Sequence, residues 1–252
     1  MPFSFKSIRT QLIIYLSCFA LFLMVKDRNL VLMKAIAVAV ISTLTLETAI
    51  IYLKNKTLQI SESPIITGLI VGFVLASDQA WWKIALAALI AVISKYLIRI
   101  KDKHIFNPAA FGIFLTVILF GASTGWNGTY LWYILVPFGL YFTYKIKKLE
   151  VVFGYAAVSL VLFGAQALLR KVPLLDVFGY FSYFYIFIMV IEPKTGPAKV
   201  AGKYFFGAGI AALIFILTET GVKFDAELFS LLAMNAAVPL FNMVSFKKGG
   251  PP

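Results

Sequence analysis

Few side chains in this sequence are placed to do chemistry, and each admits a structural reading beside a functional one. Glu47 stands seven residues before Lys54 in an otherwise apolar stretch, roughly 10 Å along a helix from the nearest charged end. A carboxylate at that depth costs a few kcal/mol and turns toward a cavity or a partner. It would serve as a cation or proton site, or it pairs with a lysine or snorkels to the interface. Asn107-Pro108 follows the basic group Arg99, Lys101 and Lys103. Proline suits the first helical position, and the free N–H groups of a helix start attract anions or polar ligand edges. The alternative is that Asn107 only caps that helix.

Other candidates are weaker. His104 has no second His, Cys or carboxylate at ligand spacing, so it reads as a turn histidine at an interface rather than a metal ligand or proton relay. Glu192-Pro193 breaks an apolar run; Glu192 would pair with Lys194 or Lys199 and fix the break, with ion transfer as its other role. Residues 180–187, YFSYFYIF, hold six aromatics in eight; they would stack on a planar ring ligand, or fill a core. Cys18 is the single cysteine and sits in an apolar run, where it is expected as a small buried hydrophobe. No P-loop, GxSxG or HExxH pattern occurs, so no catalytic residue and no metal ligand set is assigned.

The elements that must position these residues follow from composition. Of 252 residues 61% are hydrophobic and 13% charged, with mean hydropathy +0.91, whereas soluble domains are nearer half apolar and a quarter charged. Apolar runs of bilayer length recur, which excludes a soluble enzyme, a disordered chain and a disulfide scaffold. The net charge of +12 lies in short clusters between apolar runs, with no recognition-helix or RNP pattern, so nucleic acid is not an expected partner. The opening MPFSFKSIRTQL leads into a span without the cleavage site of a removable signal, and retention is expected.

Ten segments result: 10–25, 30–53, 64–77, 81–98, 107–121, 129–144, 150–169, 176–191, 203–221 and 226–246. The third, fifth and eighth are short for a crossing and read as half-helices or re-entrant pieces. With the N-terminus inside, fifteen Lys/Arg fall on the inner side, including Lys247 and Lys248, and six on the outer. That asymmetry predicts both termini in the cytoplasm. KIALAALIAV (83–92) and KYFFGAGIAAL (203–213) each follow a short segment, and Asn107-Pro-Ala-Ala-Phe and Asn235-Ala-Ala-Val-Pro lie downstream. Copies five spans apart predict an inverted repeat with its functional centre near the midplane.

Four stretches carry a family resemblance: Ser63-Pro-Ile-Ile-Thr-Gly-Leu-Ile-Val-Gly, Lys103-His-Ile-Phe-Asn-Pro-Ala-Ala-Phe-Gly, Glu192-Pro-Lys-Thr-Gly-Pro with Gly202-Lys-Tyr-Phe-Phe-Gly, and Leu232-Ala-Met-Asn-Ala-Ala-Val-Pro-Leu. In this order and spacing the chain resembles the NqrB/RnfD family over roughly residues 30–248. The resemblance implies a membrane subunit of an Rnf- or Nqr-type electron-transport complex, with a urea-transporter-like fold. It also implies a non-covalent flavin, riboflavin or FMN, near Asn107, with Thr67 and Asn235 as neighbours, and a cation-uptake role for Glu47. The family's flavinylation segment falls between the fifth and sixth spans, where this chain has only Ala122-Ser-Thr-Gly-Trp-Asn-Gly-Thr129. Neither Thr124 nor Thr129 sits in the acceptor motif, so covalent FMN is not expected and the chain reads as a shortened relative. Asn127-Gly-Thr129 is formally a glycosylation sequon.

The expectation is therefore an all-α integral membrane protein of about ten transmembrane or half-helices in a 5+5 inverted repeat. It would form one polytopic domain, 1–252, with repeats at 10–121 and 129–246, in the inner or plasma membrane. Its partners would be the lipid bilayer and other membrane subunits of an electron-transport complex. The alternative is a stand-alone transporter or channel for a small polar solute or a flavin.

Overall fold

A computed structural model describes residues 4–100 and 103–244; Lys101 of the first basic cluster and Lys247 and Lys248 of the tail lie outside them. The described chain is mostly helical and forms two compact units, Met1–Leu131 and Trp132–Pro252. The first holds α1 (Ile8–Asp27), α2 (Leu30–Asn55), α3 (Glu62–Val74), α4 (Trp81–Leu97), the hairpin β1 (Arg99–Ile100) and β2 (Lys103–His104), and α5 (Pro108–Phe120). The second holds α6 (Trp132–Lys145), α7 (Leu149–Leu169), α8 (Val200–Glu219), α9 (Ala226–Ala236) and α10 (Val238–Phe241). Among the described residues four helices, α1, α2, α7 and α8, are long and apolar enough to cross a membrane. This is an all-α, multi-pass membrane protein.

In the first unit α3 is the core. Most of its residues are buried, and it packs on α1, α2, α4 and α5. Gly68 and Gly72 stand one turn apart and let α3 lie on the α2 backbone, as small residues do between membrane helices. A Cβ at Gly68 would lie 2.6 Å from Val40 Cα, and one at Gly72 would lie 2.7 Å from Ile36 Cα.

Thirteen residues make a helix of about 20 Å, short of a bilayer core of about 30 Å. Its last carbonyls therefore need partners other than water. The 122–129 connection supplies them. Asn127 Nδ2 donates to Phe73 O and Leu75 O, each at 2.9 Å, and Asn127 N donates to Phe73 O at 2.8 Å. Gly125 N and Trp126 N both donate to Val74 O. Leu75 and Thr124 form an antiparallel bridge. The sequon asparagine is thus the cap of a broken helix.

Aromatic and basic side chains mark both ends of this unit, as at membrane–water interfaces. At one end Trp81 is exposed, Lys83 Nζ lies 5.7 Å from the Trp82 ring and Lys26 Nζ lies 4.6 Å from that of Tyr130. At the other Lys54 Nζ lies 4.7 Å from the Tyr96 ring.

In the second unit α8 packs against α7 and α9, and Gly207 of α8 rests on the Val151 carbonyl of α7. Segments one to seven fall within three residues of their expected bounds, but the eighth and tenth require correction. The run expected as one helix over 176–191 is a 3-10 turn at Leu174–Tyr180 and a π-helical turn at Tyr185–Met189, with Val190 N bonding to Tyr185 O. The wide turn accommodates a crowded aromatic stretch: Phe184, Tyr185 and Phe187 are buried, and the Phe187 ring occupies the space a side chain at Gly139 would need. The tenth segment is broken at Ala237 before Pro239, whose ring lacks the N–H a continuous helix requires.

Candidate functional site

The N-terminal end of α3 gathers the polar side chains of the first unit. Ser61 is its N-cap position, Glu62 and Ser63 open the helix, and Pro64 sits in its first turn. Each of three consecutive residues reaches a different helix. Ser61 Oγ donates to Glu47 Oε1 of α2 at 3.2 Å. Glu62 accepts from Thr10 Oγ1 and, at 3.3 Å, from Ser7 Oγ, both at the start of α1. Ser63 Oγ accepts from Lys95 Nζ of α4 at 3.0 Å. Thr43 of α2 adds a bond from its hydroxyl to Pro64 O at 2.8 Å.

At the centre is an ion pair. Lys95 Nζ lies 2.8 Å from Glu47 Oε2, and the two side chains are only 9% and 7% exposed. Glu47, picked out from the sequence for its depth, is therefore buried and lysine-paired. Two charges at such depth are tolerable only with good geometry and further hydrogen bonds, which Ser61 and Ser63 provide. The lysine was not assigned from the sequence, although an isolated lysine inside a span was visible there, as was the polar run Ser61-Glu62-Ser63 before a proline.

Thr67 and Asn107 belong to the same unit, on α3 and at the start of α5, and these helices pack together. Thr67 is buried and its hydroxyl donates to Ser63 O at 3.0 Å. Asn107 is 2% exposed and its Oδ1 accepts from Ala110 N at 3.0 Å, so the capping role is realised. His104 lies in the hairpin opposite Arg99, a turn position. Cys18 corrects an expectation: it is exposed on α1 and not packed within the core of this chain.

In the second unit polar contacts gather at the broken segment 192–197. Asn235, 1% exposed, donates through Nδ2 to Thr195 O at 3.1 Å. Lys148, also buried, donates to Pro197 O at 3.1 Å. Glu192 Oε2 accepts from Thr195 Oγ1 at 3.5 Å, and Lys199 Nζ reaches Met243 O at 3.5 Å. Lys203 Nζ donates to Lys147 O at 2.7 Å and lies 3.3 Å from Glu150 Oε2. Here amides and lysines hold backbone carbonyls.

Comparison with known proteins gives this arrangement a context. Over 89 residues the chain is 33% identical to the D-type subunit of an ion-translocating oxidoreductase complex of Marinobacter nauticus, a stretch that covers 35% of this chain and 25% of that protein. Over 53 residues it is 38% identical to a protein of the same description from Stutzerimonas stutzeri, covering 21% and 15%. Each alignment thus spans a quarter or less of the relative's length. The profile of the NQR2, RnfD, RnfE family matches at 2–135 and again at 133–249, and the two stretches meet beside the boundary of the two units at Leu131. Matched through both units from near one end to near the other, the chain belongs to the NQR2, RnfD, RnfE family.

Proposed function

We propose that this chain is an integral-membrane subunit of an Rnf-type ion-translocating oxidoreductase complex. In it the chain supports flavin-mediated electron transfer coupled to Na+ or H+ movement. The family match through both units carries this reading, and the names of the two relatives agree with it. Its partners are other membrane subunits, since the chain has no cysteine ligands for an intramembrane cluster beyond Cys18.

The flavin, riboflavin or FMN, is held without a covalent bond by Asn107 and Thr67 in the first unit, with Asn235 the candidate contact of the second. All three are buried polar side chains in or beside helices too short to cross the bilayer, and the ends of such helices suit polar ligands. Covalent attachment at Thr124 or Thr129 forms no part of the reading, because the 122–129 connection packs as a cap on α3. Glu47 lies on the ion path at the inner side. Both termini are cytoplasmic in the inner or plasma membrane, and repeats 10–121 and 129–246 form one 5+5 inverted, urea-transporter-like domain. Support for the repeat comes from packing within each unit: α2 on α4 and α4 on α5 in the first, α7 on α8 and α8 on α9 in the second. The buried aromatics Phe184, Tyr185 and Phe187 weigh against a stand-alone channel.

Protein purified in mild detergent tests the cofactor. Acid precipitation should release flavin to the supernatant in near-stoichiometric amount, and Asn107→Leu should lose it. Colour in the pellet, or none at all in folded protein assembled with its partners, overturns this assignment. In the assembled complex Glu47→Gln should reduce ion-coupled turnover; unchanged coupling removes Glu47 from the path.

A further inference from the structure

The ion pair beside Ser61 and Ser63 says more about the Glu47 site than that it is acidic. Around Lys95 Nζ stand Glu47 Oε2 at 2.8 Å and Ser63 Oγ at 3.0 Å, with Ser61 Oγ 3.2 Å from the other carboxylate oxygen. A carboxylate and two hydroxyls are hard oxygen donors, the set that suits alkali and other hard cations. They are fixed by three different elements: Glu47 on α2, the serines at the start of α3, and the ammonium on α4. The donors are held by helix backbones and by the Ser61–Glu47 hydrogen bond, whereas the cation hangs on a flexible four-carbon stem.

We propose that Lys95 is the resident cation of the Glu47 site. A Na+ ion that enters this site takes the place of the Lys95 ammonium, which withdraws along its stem while the oxygen donors stay. One positive charge arrives as one leaves, so the buried carboxylate is never left unpaired, the state that costs most. The inference rests on the reading of Glu47 as part of the ion path and adds the residue that governs entry. A purely structural ion pair would give no cation selectivity in any variant; an exchange site would.

The experiment uses the full chain in detergent, with Tm measured in NaCl and in choline chloride at equal ionic strength. Lys95→Met should gain a Na+-specific rise in Tm, because a ligand that binds only the folded state raises Tm; its half-saturation should be at least about tenfold below that of the parent chain. Lys95→Arg should behave as the parent, and the double variant Glu47→Gln/Lys95→Met should show no Na+ preference. A folded Lys95→Met indifferent to Na+, or a double variant that responds like the single one, overturns the proposal.

Should Lys95→Met fail to fold, labelling of the parent chain decides. Modification of Lys95 by a membrane-permeant amine reagent, read by mass spectrometry, should rise with NaCl and not with choline chloride; labelling that ignores Na+ rejects the exchange. The two readings fail separately. Loss of ion coupling in Glu47→Gln with Lys95 insensitive to Na+ keeps the path and rejects the resident cation. A Na+ response at Lys95 with intact coupling in Glu47→Gln keeps the exchange and rejects the path.

Discussion

The two units anchor their broken segments in different currencies. In the first, α3 starts on a buried ion pair flanked by hydroxyls: Glu47, Lys95, Ser61 and Ser63. In the second, the break at 192–197 is held by Asn235 and Lys148 through neutral carbonyls of Thr195 and Pro197. Its lysine–carboxylate pair, Lys203 with Glu150, is looser at 3.3 Å, and the glutamate side chain is 25% exposed. A carbonyl clasp has nothing to exchange and so fixes geometry. A paired charge can be traded for another, which is why the exchange proposed above is placed in the first unit.

Substitution of the two lysines breaks this comparison most directly. In Na+-free buffer Lys95→Met leaves Glu47 buried without its ammonium and should lower stability by roughly 3–5 kcal/mol. Lys203→Met should cost only about 1 kcal/mol, since the partially exposed Glu150 keeps access to a polar environment. Equal losses in Tm-derived stability would erase the distinction between the units. Next in size is the contrast of two amides. Asn127→Ala removes two bonds to carbonyls at the end of α3 and should cost about 2–3 kcal/mol, whereas Asn235→Ala removes one described bond and should cost about 1 kcal/mol. A silent Asn127→Ala would mean that water reaches the end of α3. The smallest effect calibrates the scale. Arg170 pairs with Glu219 at 2.8 Å but its side chain is 62% exposed, and Arg170→Ala should change stability by no more than about 0.5 kcal/mol.

Some of this was legible in the sequence, and the dividing line is physical. The cap at Asn107 is local, since Asx-Pro chemistry acts over three residues, and the Ala110 bond matches it. The depth of Glu47 follows from counting along a helix. Its partner does not: Lys95 is 48 residues away, and nothing local distinguishes it from Lys34, another lysine inside a span. Asn127 is likewise 54 residues from Phe73, so three residues that read as a sequon gave no hint of a helix cap. Cys18 went wrong for another reason. Lipid tails are as apolar as a protein core, so hydrophobic surroundings alone cannot tell one from the other. The eighth segment misled because an apolar run reports burial and not turn width, and a stretch so rich in aromatic rings settled into 3-10 and π turns.

By itself the sequence determined that the chain lives in a membrane, roughly where most segments begin and end, and that some segments are too short to cross. Those follow from hydropathy, helix rise and the chemistry of Pro and Asn, all of which act over a few residues. Tertiary structure decided which lysine neutralises Glu47, that the short 122–129 connection closes the end of α3, and which apolar faces meet protein. Each of these is a contact between residues distant in sequence, chosen by packing and by the cost of leaving a buried polar group unpaired.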